Sequence, residues 1–179
     1  MPTLNLYRLK VWLVGARAQP MSKLHRIIEI SGNATFANLH ELIFDAFDRE
    51  DDHLYRFYLT RKEEPKSGDY LFQDCKETVS REIMDLDDLF ADEEETDGEH
   101  TEHLAAEYTL DDARLAEKDN IYYWFDFGDD WIHRIKIEKI RQVKEEDEGV
   151  WFGDISKKVG ESPAQYGEDS VWDEDGGGT

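Results

Sequence analysis

The chain has 179 residues, of which 43 are acidic and 21 basic, so its formal charge is -22 at pH 7. That charge disfavours a general nucleic-acid binder, because phosphate contacts require a basic surface. An aromatic content of 12% disfavours a wholly disordered acidic chain. No apolar run reaches the ~20 residues of a membrane-spanning helix, and the single cysteine, Cys75, excludes internal disulfides. We therefore predict a folded cytoplasmic protein with no membrane association.

The negative charge is concentrated in two segments. Residues 85–102 contain ten acidic and no basic residues, and residues 144–175 contain eleven acidic and three basic ones. The remainder carries only -4, from 22 acidic and 18 basic residues. Because like-charged runs repel themselves and bury little, we predict one domain over residues 1–166 with a flexible acidic insertion near 91–103. Residues 167–179 are then an acidic, Gly-rich disordered tail.

The first half of the chain predicts two strands, a helix and a third strand. Residues 4–14 alternate apolar and polar side chains, and residues 24–30 are rich in β-branched residues, so the two segments are expected to pair antiparallel. Thr35 is a candidate helix N-cap, and apolar residues then recur at three- and four-residue spacing up to Asp48. Residues 53–60 alternate again and predict a further strand.

The second half predicts short elements and then a hairpin. Residues 70–72 are read as a short strand, 85–90 as one helical turn, and 108–115 as a short helix. Residues 121–127 and 131–140 are rich in aromatic and β-branched side chains and flank a Gly-containing connection, which predicts a β-hairpin. The order predicts an α+β domain: a mostly antiparallel sheet with one main amphipathic helix packed on it, a β-grasp-like opening and a C-terminal hairpin.

The register of this hairpin determines which side chains meet. A three-residue connection pairs Phe127 with Trp131 and Phe125 with His133, and it leaves one face continuously apolar. A four-residue connection instead places Asp126 opposite His133, but it mixes the apolar face with the basic face that carries Arg134. The first register is favoured, so Asp126 and His133 face opposite ways and we expect no metal site from them.

Polar residues near the hairpin form the candidate binding site. Two helix-strand histidines are expected to converge with the hairpin at one edge of the sheet. The two aspartates of the connection would accept hydrogen bonds, the tryptophan would supply stacking area and the last histidine a pH-sensitive donor. No catalytic residue, metal or cofactor is assigned. The site comprises His40, His53, Asp126, Asp129, Asp130, Trp131 and His133.

Three stretches carry a family resemblance: residues 35–47, residues 53–57, and residues 123–140 with the pattern aromatic-Asp-Phe-Gly-Asp-x-Trp-x-His. Over roughly residues 4–166 the chain resembles the plasmid-encoded ORF-three-like family, also labelled an insertion-sequence passenger protein (TnpR-labelled) family. The resemblance implies a compact α+β domain associated with plasmids and mobile elements. It implies no particular reaction.

Three functions remain open on the sequence. The first is a non-catalytic module that binds an unknown protein or small ligand beside the hairpin, with nucleic acid disfavoured as a partner. The second is a metal-assisted phosphoester hydrolase that uses Asp129, Asp130 and a converging histidine. The third is an acidic, DNA-mimic-like partner of a basic protein, acting through residues 85–102. The oligomeric state stays open.

Overall fold

One eight-stranded sheet forms the body of the protein. The structure, a computed structural model, describes residues 3–15, 24–50, 53–62, 75–82, 100–125, 131–144 and 152–162. The strands are β1 (Thr3–Gly15), β2 (His25–Ser31), β3 (Tyr55–Tyr58), β4 (Glu77–Ser80), β5 (Thr101–Leu104), β6 (Asn120–Phe125), β7 (Trp131–Lys144) and β8 (Gly153–Val159), and helix α1 spans Phe36–Ala46. Their order in the sheet is β5-β4-β3-β6-β7-β1-β2-β8. Every described pairing is antiparallel except that of β4 with β5.

The predicted α+β class is wrong, because the protein is predominantly β. Strands take 55% of the described residues and helix 10%, so α1 is a minor element on a large mixed sheet. The β-grasp-like opening is also wrong, since β1 pairs antiparallel with both β2 and β7. The hairpin of β6 and β7 lies between β1 and β3, which prevents the parallel neighbour that a β-grasp arrangement places beside its first strand.

Three short or polar strands were missed by the sequence analysis. β4, β5 and β8 lack a clean alternation of apolar and polar residues, because most of their side chains are polar. The predicted short helix over 108–115 is also wrong: these residues form turns, and Arg114 has a φ of 52°. The predicted strand at 70–72 and helical turn at 85–90 lie outside the described residues. Of the predicted acidic insertion, residues 100–103 are described, and 101–103 belong to β5.

Helix α1 begins where the sequence predicts. The Thr35 hydroxyl accepts a hydrogen bond from the Asn38 backbone N–H at 3.2 Å, and the Asn38 side chain accepts one from the Thr35 N–H at 3.0 Å. This reciprocal capping satisfies two N–H groups at the helix start. One stripe of the helix packs on the sheet, with the Phe36 ring 5.1 Å from that of Phe57. At eleven residues, the helix of the described part of the chain is too short to cross a membrane.

The hairpin of β6 and β7 has the predicted faces but not the predicted pairs. Phe125 lies opposite Trp131 and Tyr123 opposite His133, so five residues, 126–130, separate the paired ends. The predicted three-residue connection is therefore wrong by a shift of two residues. Because side chains alternate with a period of two, this shift preserves the faces, and the expected apolar set is buried. The buried positions are Ile121, Tyr123, Phe125, Trp131, His133, Ile135 and Ile137.

Candidate functional site

The predicted site residues divide into three groups. Trp131 and His133 are at the start of β7, both on the face of the sheet that carries α1, and their exposed fractions are 4% and 1%. His40 lies on α1 with an exposed fraction of 7%, and His53 is half-buried just before β3. The other three, Asp126, Asp129 and Asp130, are outside the described residues, so their part in the site stays a prediction.

Tyr123 of β6 connects two of the predicted histidines. Its hydroxyl lies 2.6 Å from Nδ1 of His40, and its backbone carbonyl oxygen lies 3.4 Å from Nδ1 of His133. The His53 ring meets the Phe125 ring edge-on at 5.8 Å, and the His40 ring lies 6.0 Å from that same ring. The structure thus brings the three histidines to one aromatic cluster formed by α1, β3, β6 and β7.

His133 is held neutral inside the protein. Burial, and then the nearby charge of Arg49, lower the pKa of His133 from 6.5 to about 3, against weaker backbone hydrogen bonds to Tyr123 and Trp131. Nδ1 faces a carbonyl oxygen and therefore carries the proton, which leaves the lone pair on Nε2. That atom is buried, and no hydrogen-bond partner for it exists among the described residues. Near neutral pH, Nε2 of His133 is therefore an acceptor, and the pH-sensitive donor expected at this position stays a prediction.

Arg49 is a site residue that the sequence analysis missed. Its guanidinium carbon lies 3.8 Å from the centre of the Trp131 ring, in a cation–π arrangement. Burial lowers the pKa of Arg49 to about 10, so it remains charged at pH 7. The indole Nε1 of Trp131 is buried and, within the described ranges, has no hydrogen-bond acceptor.

The turn after α1 explains how Arg49 reaches this position. Asp48 has a φ of 53°, and its N–H donates to the carbonyl of Asp45 at 3.2 Å. The N–H of Arg49 donates to the carbonyl of Phe44 at 3.0 Å. These two bonds form a Schellman turn, which ends the helix and reverses the chain toward the sheet. The only local signal in the sequence is an Arg one residue past the predicted helix end.

A second buried arginine joins three elements beside this cluster. Arg26 of β2 has an exposed fraction of 1%, and its Nε donates to the carbonyl of Ala46 at 2.6 Å. Its Nη1 donates to the carbonyls of His25 at 2.9 Å and Val159 at 3.0 Å. The C-terminal carbonyls of a helix carry partial negative charge, so a guanidinium is favourable there. Burial lowers the pKa of Arg26 from its usual value.

The comparisons with known proteins identify the family. The family model described as plasmid pRiA4b ORF-3-like protein matches residues 5–154. The chain belongs to this family. The predicted resemblance is therefore confirmed. A search of curated proteins gave no match.

One solved structure shares the fold of this ORF-3-like chain. It is the crystal structure of MM3350, a protein of unknown function from Methanosarcina mazei Go1, with a TM-score of 0.60 and 20% sequence identity. The match covers 90% of this chain and 74% of the other. At this identity the likeness concerns the fold alone.

Elsewhere in the ORF-3-like fold, Glu77 of β4 organises a separate polar cluster that the sequence analysis did not connect. Its carboxylate accepts a hydrogen bond from the Tyr108 hydroxyl at 2.9 Å and lies 3.2 Å from Nη2 of Arg61. The His103 ring stacks on the Tyr108 ring at 3.8 Å. Burial, and then the hydrogen bond to Glu77, raise the pKa of Tyr108 to about 12. These side chains pair with one another and connect β4 and β5 to Arg61 and Tyr108. In the described ranges, no group of three or more side chains could hold a metal ion.

Proposed function

We propose that this protein is a non-catalytic binding module whose ligand enters beside the start of β7. The observation that carries the proposal is the pair of buried ring nitrogens on Trp131 and His133. One is an N–H donor and the other a lone-pair acceptor, and neither has a partner among the described residues. A ligand group with an adjacent acceptor and donor, such as an amide, complements both.

Both nitrogens belong to side chains on one face of the sheet. Trp131 and His133 are two residues apart on one strand, so their side chains leave the same face about 6.6 Å apart. A buried polar group without a partner costs about 1–3 kcal/mol, which pairing with a ligand recovers. The Phe47 ring packs 4.8 Å from the His133 ring, and the guanidinium of Arg49 lies over the Trp131 ring.

The chemistry of His133 favours binding over catalysis. A general acid or base works best when its pKa lies near the operating pH, and the pKa of His133 is lowered to about 3. His40 is occupied by the Tyr123 hydroxyl. The alternative phosphoester hydrolase depends on Asp129, Asp130 and a converging histidine, and the two aspartates lie outside the described residues. The acidic-partner alternative depends on residues 85–102, of which only 100–102 are described. Both therefore stay predictions.

The test uses a panel of N-acetyl amino-acid amides as probes and measures the thermal unfolding of the full chain. Binding at ten times the Kd stabilises the protein by about 1.4 kcal/mol, which corresponds to a rise in Tm of roughly 3–6 °C. Trp131→Phe keeps the ring but removes the N–H, and is expected to lose most of this rise. Trp12→Phe, on the opposite face, is the matched control and should retain it.

Two results would overturn this proposal. One is that no amide of the panel raises the Tm of the wild-type chain. The other is that Trp131→Phe responds as strongly as Trp12→Phe, since a ligand at the start of β7 must use the indole N–H.

A further inference from the structure

The sheet face opposite α1 is basic although the chain is strongly acidic. From Arg8 to Leu13 on β1 and from Trp131 to Glu138 on β7, outward side chains alternate with buried ones, and the strand register places them side by side. A register shift between Arg8 and Leu9 then puts Lys139 opposite Arg8. Six of the outward side chains on the four strands β6, β7, β1 and β2 are basic and two are acidic, which gives this face a charge of about +4. The basic ones are Arg8, Lys10, Arg134, Lys136, Lys139 and Arg141, and the acidic ones are Glu29 and Glu138.

Within the described part of the chain, half of these cations have no carboxylate partner. Arg8 pairs with Glu138 at 3.2 Å and with Glu29 at 3.7 Å, and Arg141 lies 3.9 Å from Glu29. Across the described ranges, no ion pair involves the three lysines of the face, Lys10, Lys136 and Lys139. Two of them, Lys10 and Lys136, lie directly opposite each other on neighbouring strands. Like charges directly opposite each other repel and lower the stability of the sheet, and a bound anion would reduce this repulsion.

Aromatic rings lie among these cations. The Trp12 ring is partly exposed, with the guanidinium carbon of Arg134 at 4.2 Å and Nζ of Lys10 at 4.7 Å from its centre. Trp124 of β6 lies on the same face beyond β7 and is also partly exposed. The face therefore carries one large ring, Trp12, in contact with two cations, and a second, Trp124, which packs against Tyr58 and Tyr122.

We propose that this outward face binds single-stranded nucleic acid. Proteins that bind single strands without strong sequence preference combine a positive surface for the phosphates with aromatic rings on which the bases stack. An acidic peptide would satisfy the lysines but has no planar bases for Trp12 and Trp124. This is why the observations favour a nucleic acid. This surface is on the opposite face of the sheet from Trp131 and His133, so the proposal does not depend on the function proposed above.

The total charge of the chain does not prevent this contact. Charges separated by more than about 8 Å are largely screened at physiological ionic strength, so a bound strand responds mainly to the side chains beneath it. The expectation that nucleic acid is disfavoured follows from the summed charge of -22, which carries no information about position. The strand register shows that the basic side chains lie together on one face of the sheet.

The experiment measures fluorescence anisotropy of labelled oligothymidine and oligouridine, each about 20 nucleotides long, with the full chain at about 50 and 200 mM salt. The triple variant Lys10→Ala, Lys136→Ala, Lys139→Ala is expected to bind at least tenfold more weakly. Its slope of log K against log salt should fall by about 2, since each phosphate contact on a single strand contributes about 0.7. The matched control removes the same charge from exposed lysines elsewhere: Lys62→Ala, Lys118→Ala, Lys158→Ala.

Stacking is tested separately at Trp12. Trp12→Leu should weaken binding by about 5- to 150-fold, whereas Trp12→Phe, which keeps an aromatic ring, should retain most of the affinity. The proposal is overturned if no saturable binding occurs below about 100 µM at the lower salt, or if the two lysine triples lose affinity equally. Poly-glutamate that binds as tightly as the oligonucleotides would also overturn it and would assign the face to an acidic protein partner.

Discussion

Acidification is expected to destabilise this protein through His133, well above the pH at which most carboxylates titrate. The folded state holds the pKa of His133 at about 3, whereas the unfolded chain has the ordinary value of 6.5. The group is neutral in the folded protein, so its contribution is fully present above pH 6.5 and is lost as the pH falls from 6.5 toward 3. At pH 5 the difference amounts to about 2 kcal/mol of unfolding free energy, at 1.36 kcal/mol per pH unit below 6.5.

The assay is urea unfolding at pH 7.5, 6 and 5, with the wild-type chain compared with His133→Phe. The variant replaces the buried imidazole, which packs edge-on against Phe47, by a ring that takes up no proton. It should lack the loss of about 2 kcal/mol between pH 7.5 and 5. His100→Gln, an exposed position, serves as the control and should follow the wild type. If wild type and His133→Phe lose stability in parallel, the imidazole is not held neutral by burial and the reasoning fails.

Two further substitutions, measured by urea unfolding, test the buried hydrogen bonds of Arg26 and the N-cap of α1. Arg26→Met leaves three backbone carbonyls without their donor and should lower the free energy of unfolding by about 2–4 kcal/mol. The control, Arg141→Met at an exposed position, should change it little. Equal effects of the two substitutions would show that the buried hydrogen bonds contribute no net stability. Thr35→Ala removes the N-cap of α1 and should cost about 1 kcal/mol, against less than about 0.5 for Thr101→Ala on the exposed start of β5. A Thr35→Ala protein as stable as the wild type would contradict the capping argument.

Elements with a strong local signal could be predicted from the sequence. Thr35 and the apolar spacing after it locate α1, because both the cap and the buried stripe are properties of consecutive residues. The alternation of Leu9, Val11 and Leu13 locates β1 and its buried face. The faces of β6 and β7 were also correct, since a shift of two residues leaves a period of two unchanged.

The fold class failed because the missed strands are stabilised by distant partners. Outward polar residues of β4 illustrate this: Ser80 accepts a hydrogen bond from Nε of Arg56 at 2.9 Å and donates to Glu102, which lies 22 residues away. A polar stretch that gains its structure from such contacts has no pattern of its own. Because β4, β5 and β8 were missed, the predicted fold class gave helix α1 too large a share of the domain.

The candidate site could be predicted only in part for the same reason. His40 and Tyr123 are 83 residues apart in the sequence, and only the packing of α1 on β6 brings them within 2.6 Å. Arg49 reaches Trp131 because the chain reverses at Asp48, where a non-glycine residue adopts a positive φ. No rule of sequence spacing connects these residues. The sequence analysis therefore chose the histidines for their chemistry and their expected place near the hairpin, and it missed the arginine.

The pairing of β1 with β7 also has a consequence for the synthesis of the protein. Its partners are separated by 120 positions at Leu13 and His133 and by 141 at Thr3 and Lys144. A ribosome that adds about 5–20 residues per second takes roughly 6–24 s to cover the shorter distance. During that time β1 can pair only with β2, and its other edge displays free backbone groups beside apolar side chains. Until β7 has been made, this edge is therefore open to pairing with another chain.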